Sequence, residues 1–263
     1  MRLDASVPNA ARVYDFFLGG KDNFGSDRKL AQKILAVLPD TADVCQANRE
    51  FLQRAVRFLA GQAGIRQFLD VGTGLPTMGS VHEIAQETAP GARVAYVDYD
   101  PVVLSHAKAL LATGQDVIVT EGDLRLPGNI LADASVRQLI DFSQPVAVLL
   151  VAVLHFVTDA GRPYAAVRTL VEALAPGSYL VLTHSTPDEV AADVTHAMKA
   201  IYARASAPAA PRAFADVARF FDGLELLEPG LVNVTRWRPD APPGQPSPAP
   251  KRSLIYGGVA RKA

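Results

Sequence analysis

The chain has 263 residues, of which 49% are hydrophobic, and a formal net charge of −1. That length and apolar content suit one large α/β domain, or one domain with an appendage, and exclude global disorder. A pI of about 6.5 leaves no basic footprint for nucleic acid and no polybasic membrane patch, so a small-molecule substrate is the expected partner.

The N-terminal stretch MRLDASVPNAARVYDFF has no uninterrupted apolar core and no cleavage pattern of a secretory signal. No apolar run reaches the ~18 residues of a membrane-spanning helix. A cytoplasmic location is expected, with monomer and homodimer both open. Residues 1–60 read as helical and amphipathic. In DTADVCQANREFLQRAVRFLAG, Val44, Ala47, Phe51, Ala55, Phe58 and Leu59 recur at three- and four-residue steps. Gly61 and Gly64 suit a helix stop. The earlier segment, broken at Gly19-Gly20 and Gly25, reads as a short helix, a loop and a second helix. We expect residues 1–64 to form a helical cap or lid on a domain spanning 65–263. In the lid reading, Tyr14, Lys21, Asp22 and Asn23 face the ligand and Gly19-Gly20 is the hinge. The alternative is a solvated helix–loop connection. Cys45, the single cysteine, has no basic neighbour in sequence and reads as a core residue rather than a nucleophile. No metal site is expected.

From Arg66 short apolar runs alternate with helical segments, as in a doubly wound parallel α/β sheet. The runs are 67–71, 93–97, 116–120, 146–153 and 179–183, and their near-continuous hydrophobicity fits strands covered on both faces. One helix starts after Asp100 with Pro101 at its first position. Another is expected at Thr186-Pro187-Asp188-Glu189, which has the form of a capping box, and runs through Val190, Val194, Met198 and Ile201. A helix over 212–221, short runs at 225–227 and 231–234, and a terminal strand at 253–260 follow. The last two strands, joined by the proline-rich linker 239–250, suit an antiparallel hairpin at the sheet edge. The linker itself should be extended and exposed. Trp237 reads as either a substrate-side wall or packing that anchors the linker.

The ends of the first three strands carry the functional signal. Phe68 to Thr77 is a strand, a glycine turn and a helix start, with Gly72 and Gly74 placed to let the backbone approach a ligand. A dinucleotide pyrophosphate is anionic and seeks a bare helix N-terminus. Asp70 would repel it, and Thr77 stands where the third fingerprint glycine belongs. A cationic, ammonium-bearing ligand fits Asp70 instead. Asp98 ends the second strand, about 20 residues or slightly more beyond the glycine turn, where an acid holds ribose hydroxyls. Asp100 reads as the cap of the next helix. Tyr99 can pack on adenine or ribose. After the third strand Asp123 can accept an adenine amine, and the Leu124 N–H can donate to a ring nitrogen.

Acids at three successive strand ends resemble those of class I S-adenosylmethionine (SAM)-dependent methyltransferases, over roughly residues 66–260. ARVYDFFLGGKDNF (11–24), FLDVGTGLPT (68–77), VDYDPV (97–102), EGDLRLP (121–127) and EPGLVNVTRWRP (228–239) resemble an actinobacterial group of S-adenosyl methyltransferases, formerly a domain of unknown function. The resemblance implies a Rossmann-like seven-stranded sheet with the last strand antiparallel and SAM as cofactor. It puts Asp70, Gly72 and Gly74 on the methionine side, Asp98 at the ribose, and Asp123 with Leu124 at the adenine. Leu75-Pro76 stands where many such enzymes carry a further glycine. Tyr14 and Lys21 are further candidate cofactor contacts.

The fourth strand should end at the reaction centre, at Val153-Leu154-His155-Phe156. It lacks the Asn/Asp-Pro-Pro-aromatic motif of enzymes that methylate DNA or protein glutamine. His155 is a candidate general base or a loop-supporting histidine, and His184 could face the same pocket. The expected function is methyl transfer to an oxygen or nitrogen of a small acceptor. The alternatives are a non-catalytic SAM- or nucleoside-binding regulator and, disfavoured by Asp70 and Thr77, an NAD(P)-dependent oxidoreductase.

Overall fold

A computed structural model describes residues 4–76, 79–111, 114–203, 205–240 and 254–263. Thr77 and most of the proline-rich linker lie outside these described residues. Three helices open the chain: α1 (Ala10–Phe17), α2 (Gly25–Val37) and α3 (Thr41–Gly61). The first begins where Asn9 leaves extended backbone and its side chain accepts the N–H groups of Ala11 and Arg12. Strands and helices then alternate as β1 (Gln67–Val71), α4 (Val81–Thr88), β2 (Arg93–Asp98), α5 (Pro101–Leu110) and β3 (Val117–Glu121). Next come α6 (Pro127–Ala132), α7 (Ala134–Leu139), β4 (Ala147–Leu150), α8 (Pro163–Glu172) and β5 (Tyr179–Ser185). The chain closes through α9 (Ala192–Tyr202), α10 (Phe214–Ala218), β6 (Glu225–Leu226), β7 (Val232–Asn233) and β8 (Ile255–Arg261).

The strand order is β3-β2-β1-β4-β5-β8-β6, with β1 to β5 parallel and β8 antiparallel to β5. Successive side chains alternate between the two faces, so Phe68, Val94, Leu149 and Val181 enter one core while Leu69, Ala95, Val148 and Leu180 enter the other. The first core includes residues of α3, α4 and α5, and the second residues of α6, α7, α8 and α10. The order reverses between β1 and β4, which opens a crevice beyond their carboxyl ends. The α1 and α2 helices join α9 through Val13, Phe17, Leu30, Ile34, Met198 and Tyr202. By contrast α3 packs into the core under the sheet.

Three local expectations are corrected. Among the described residues eight strands fill the seven expected positions. Both β6 and β7 pair with β8 along the side away from β5. The turn between them contains Pro229, which has no N–H to give the ladder, and Gly230 at φ +86°. The terminal strand is therefore antiparallel as expected but lies inside the sheet, not at its edge. The fourth strand stops at Leu150, because Ala152 takes φ +56° and gives its N–H to Thr183 Oγ1 at 2.8 Å. Finally, α9 starts at Ala192 rather than after Thr186. Thr186 Oγ1 accepts the Asp188 N–H in a local turn, and the Asp188 carboxylate accepts from the Phe214 N–H and the Tyr256 hydroxyl. Those partners occupy the groups that would have capped a helix.

Trp237 is 0% exposed and meets Phe51 and Phe58 edge-on at 5.4 and 6.0 Å between ring centroids. Arg54 donates to the carbonyls of Trp237 and Val234, tying this segment to α3. Its place is in the core, remote from any substrate wall. No helix among the described residues is long and apolar enough to cross a membrane. Replacing Trp237 by Ala is expected to lower stability by about 3–5 kcal/mol in urea denaturation, the usual cost of emptying a large aromatic site. Ligand affinity of the folded fraction should stay unchanged, as read by calorimetry.

Candidate functional site

A cavity of about 750 Å³ opens at the carboxyl ends of β1 to β4, within the range of small-molecule and cofactor pockets. Asp70, Gly72, Gly74, Asp98, Tyr99, Asp123 and Leu124 all line it. Gly72 takes φ +79°, and a Cβ there would come within 2.4 Å of Val153 Cγ2. The glycine is thus required by the loop after β4, whatever the cavity holds. Leu75 is buried against Val102, Val103 and Ala11, so the residue in place of a further glycine seats α1 and α5 beside the turn. The helix after the turn begins only at Val81, capped by Ser80 and Glu83.

Asp70 is 6% exposed, and no hydrogen bond from a described residue reaches its carboxylate. Burial pushes its pKa up to about 7, against the pull of the Arg49 guanidinium and with a push from Asp98. Arg49 and Asn48, on α3, line the same cavity. Arg49 gives Nη2 to the Gly79 carbonyl at 3.0 Å, but its Nε is buried without a partner, and so is Asn48 Oδ1. An unpaired carboxylate and an unpaired amide oxygen beside a guanidinium N–H without an acceptor leave both halves of a zwitterion to be supplied, namely an ammonium for Asp70 and Asn48 Oδ1 and a carboxylate for Arg49. Sequence reading missed Arg49 and Asn48. Their signal is a polar pair, with Asn48 itself buried, on an amphipathic helix, which is legible only once α3 is known to border the cleft.

Asp98 accepts the Gly74 N–H at 3.0 Å through one oxygen and the Asp100 N–H at 2.9 Å through the other. Its remaining lone pairs can take vicinal hydroxyls. Burial raises its pKa despite these N–H bonds. Asp100 caps α5, accepting from Val102 and Val103, and also receives Asn9 Nδ2 at 2.6 Å, which ties the start of α1 to the acidic turn. At the far end Asp123 is held by the Arg125 backbone and guanidinium. Burial raises the Asp123 pKa, but those bonds outweigh it and hold the carboxyl below its ordinary value. Tyr99 is 38% exposed, with the Arg125 guanidinium 5.8 Å from its ring centre. This end offers a flat aromatic face, a cation and a buried backbone turn, which suits a heteroaromatic base.

The N-terminal segment reaches the cavity through Asn9, Ala11, Tyr14, Asp15 and Leu18. The Tyr14 hydroxyl donates to the Cys45 carbonyl and accepts from Asn48, so only its ring faces the ligand space. Lys21 is exposed and lies away from the lining. Asp22 faces His106, and Asn23 donates to Asp15 and to the Gly20 carbonyl.

A second cavity of about 140 Å³ lies behind the first and shares Ala10, Tyr14, Ala152 and Phe156 with it. His155 lines this smaller cavity. Its Nδ1 accepts the Ser185 N–H at 3.4 Å, which leaves the neutral ring's proton on Nε2. Burial, His184 and Arg212 all push its pKa well below the ordinary value. His184 lines neither cavity. It donates from Nδ1 to the Ser185 carbonyl, accepts from Arg212 and is depressed by burial to about 4. Cys45 is buried, its thiol pushed up to about 12 by desolvation, in keeping with a packing role.

Comparison with known proteins places the family and the fold. A family model described as S-adenosyl methyltransferase matches residues 1–263. A crystal structure of a proposed methyltransferase from Thermobifida fusca is 43% identical, with a TM-score of 0.89 over 98% of this chain and 96% of that one. A DUF574 family protein from Streptomyces avermitilis is 39% identical, with a TM-score of 0.91 over the whole of both chains. Human N-acetylserotonin methyltransferase, solved in complex with SAM, shares the fold at 14% identity and a TM-score of 0.51, over 97% of this chain and 63% of the human one. A search of curated proteins gives no match.

Because Asp70 titrates near pH 7 when unpaired, its charge destabilises the folded, ligand-free chain above that pH. The penalty is full above the folded value and absent below the ordinary carboxylate range. Asp70→Asn should therefore stabilise the ligand-free protein by about 2–4 kcal/mol at pH 8 and leave it unchanged near pH 4 in denaturation curves. The same variant should lose SAM affinity. In the parent protein, SAM binding at pH 6 should release a proton, seen as a buffer-dependent calorimetric heat. Arg49→Met should weaken SAM binding at least tenfold, since it leaves a carboxylate without its cation.

Proposed function

The chain belongs to the S-adenosyl methyltransferase family, and from that premise we propose that it methylates an oxygen or nitrogen of a small-molecule acceptor. The observation that carries this reading is the shared wall: a polar cavity suited to the cofactor abuts a small, largely apolar one across Tyr14, Ala152 and Phe156. When bound, SAM supplies a methyl carbon already activated by its sulfonium. The protein then has to hold two molecules in line and keep water out.

The residues divide that work. We assign Asp70, Arg49 and the Gly72–Gly74 turn to the methionine end, Asp98 to the ribose, and Tyr99, Asp123 and Leu124 to the adenine. Helices α1 and α2 act as the cap, with α1 as the part that covers the cofactor, while α3, which the sequence reading included in a cap over 1–64, belongs to the core under the sheet. Tyr14 contributes its ring to that cover, and Lys21 takes no direct part. His155 meets the acceptor. With Nδ1 engaged by Ser185 and its pKa depressed, it serves better as a neutral Nε2–H donor that orients the acceptor than as a general base, one of the two readings its sequence position offered. As the sulfonium–methyl bond breaks and the acceptor–methyl bond forms, the acceptor's proton passes to solvent at the cavity mouth, while water is kept off the methyl carbon itself.

Purified protein incubated with SAM and a small-molecule cell extract is expected to release S-adenosylhomocysteine. His155→Phe should cut that release at least tenfold, while its SAM affinity by calorimetry stays within twofold of the parent. SAM binding with no extract-dependent turnover would instead mark the chain as a binding protein. If His155→Gln, which keeps a donor, turned over no faster than His155→Phe, orientation by hydrogen bonding would be wrong.

A further inference from the structure

The smaller cavity has a size and a chemistry that narrow the acceptor. Its 140 Å³ is close to that of apolar cavities of ~150 Å³ that take up a single benzene ring. Its walls are rings and aliphatic chains, with Tyr14 and Phe17 from α1, Val44 from α3, Phe156 after β4, and Met198 and Tyr202 from α9. Tyr14 and Phe17 stand three residues apart and so share one face of α1. The Phe156 and Tyr202 ring centres lie 5.7 Å apart, and His155 sits 4.5 Å from Phe156. The cavity is also uncharged in its depth. Burial keeps Tyr14, Tyr202 and the Cys45 thiol protonated, and His155 is held neutral. Lys199 is the charged residue on the lining, and it is exposed. An ion brought inside would lose its hydration with no buried counter-charge to replace it.

We propose that this cavity is the acceptor subsite and that it takes one neutral phenol ring, whose hydroxyl group faces the shared wall at Ala152 and has one lone pair for the His155 donor and one for the methyl carbon. The proposal rests on the methyltransferase reading and deepens it. Apolar walls set the plane of the ring, Nε2–H of His155 gives its hydroxyl oxygen a donor, and the volume matches one ring rather than two fused ones. The methyl would be delivered across the opening that Ala152 keeps clear.

The test uses the full chain saturated with S-adenosylhomocysteine and three probes, phenol, 2-naphthol and benzoate, followed by ligand-observed NMR titration. Phenol should bind at least tenfold more tightly than either of the others. Met198→Trp and Val190→Trp fill the cavity from α9 and from its rim, and each should weaken phenol at least tenfold. Both should bind S-adenosylhomocysteine within twofold of the parent, which also shows that they fold. No phenol binding, equal binding of the three probes, or unchanged phenol binding by both filled variants would overturn the proposal while leaving methyl transfer intact. Failure of the parent chain to bind either SAM or S-adenosylhomocysteine would overturn the reading beneath it.

Discussion

A carboxylate taken out of water and given no hydrogen-bond partner is among the most unfavourable groups a fold can keep. Asp70 comes close to that position near the end of a buried strand: it has no hydrogen bond from a described residue and meets water only through the cavity it lines. The surrounding structure makes sense as a means of keeping it there. Gly72 and Gly74 bend the chain away at once, so no side chain folds back to cover it. Arg49 approaches from α3 near enough to pull its pKa down, yet forms no ion pair with it, and spends one nitrogen on the Gly79 carbonyl. The unfavourable charge is preorganised for a ligand that brings an ammonium, so stability given up in the empty protein returns as affinity.

Preorganisation of this kind needs the cap to be held as firmly as the sheet. The hold is polar. Asp27 accepts the Asn9 and Phe24 N–H groups and a buried ion pair from Arg12 at 2.8 Å, and Asn9 in turn reaches Asp100. Removing one member leaves a buried charge unpaired, so the network fixes one arrangement of α1 more strongly than it adds net stability. Asp100 thereby has two functions, capping α5 and anchoring the cap of the cleft. The acidic turn after β2 places Asp98 on the cavity lining and, through Asp100, fixes the start of α1 beside it.

The sheet was legible because its strands are short apolar runs with acids at their carboxyl ends. That pattern follows from local chemistry, since a parallel strand buried on both faces must be apolar throughout and can carry charge only where it emerges. The reading of Asp100 as a cap also rests on local chemistry, and the structure shows the two N–H groups it accepts. What was not legible depended on distant partners. Asp188 looks like part of a capping box until Phe214 and Tyr256 claim its carboxylate. Arg49 and Asn48 look like solvated positions on an amphipathic helix, because nothing in their neighbours in sequence says that the helix borders a cleft. Lys21 drew attention as a cation beside a glycine hinge, but α1 turns its Asn9, Ala11 and Tyr14 side to the ligand space. Trp237 could be read two ways, and only the positions of Phe51 and Phe58 decide between them.

The junction between the two cavities shows how the backbone settles what side chains alone do not. Ala152 holds a left-handed conformation that costs a non-glycine residue on the order of 1 kcal/mol or more. A longer β4 would have run straight on and closed the crevice. Instead the turn at Ala152, fixed by Thr183 on the neighbouring strand, carries Val153 down against Gly72 and brings His155 and Phe156 around behind the cleft. A methyl side chain at the turn is small enough to leave the passage open. The same strained residue thus separates the two binding spaces and connects them. Its conformation is understandable as the cost of keeping a small apolar cavity beside the larger one that the acids of three other strands line.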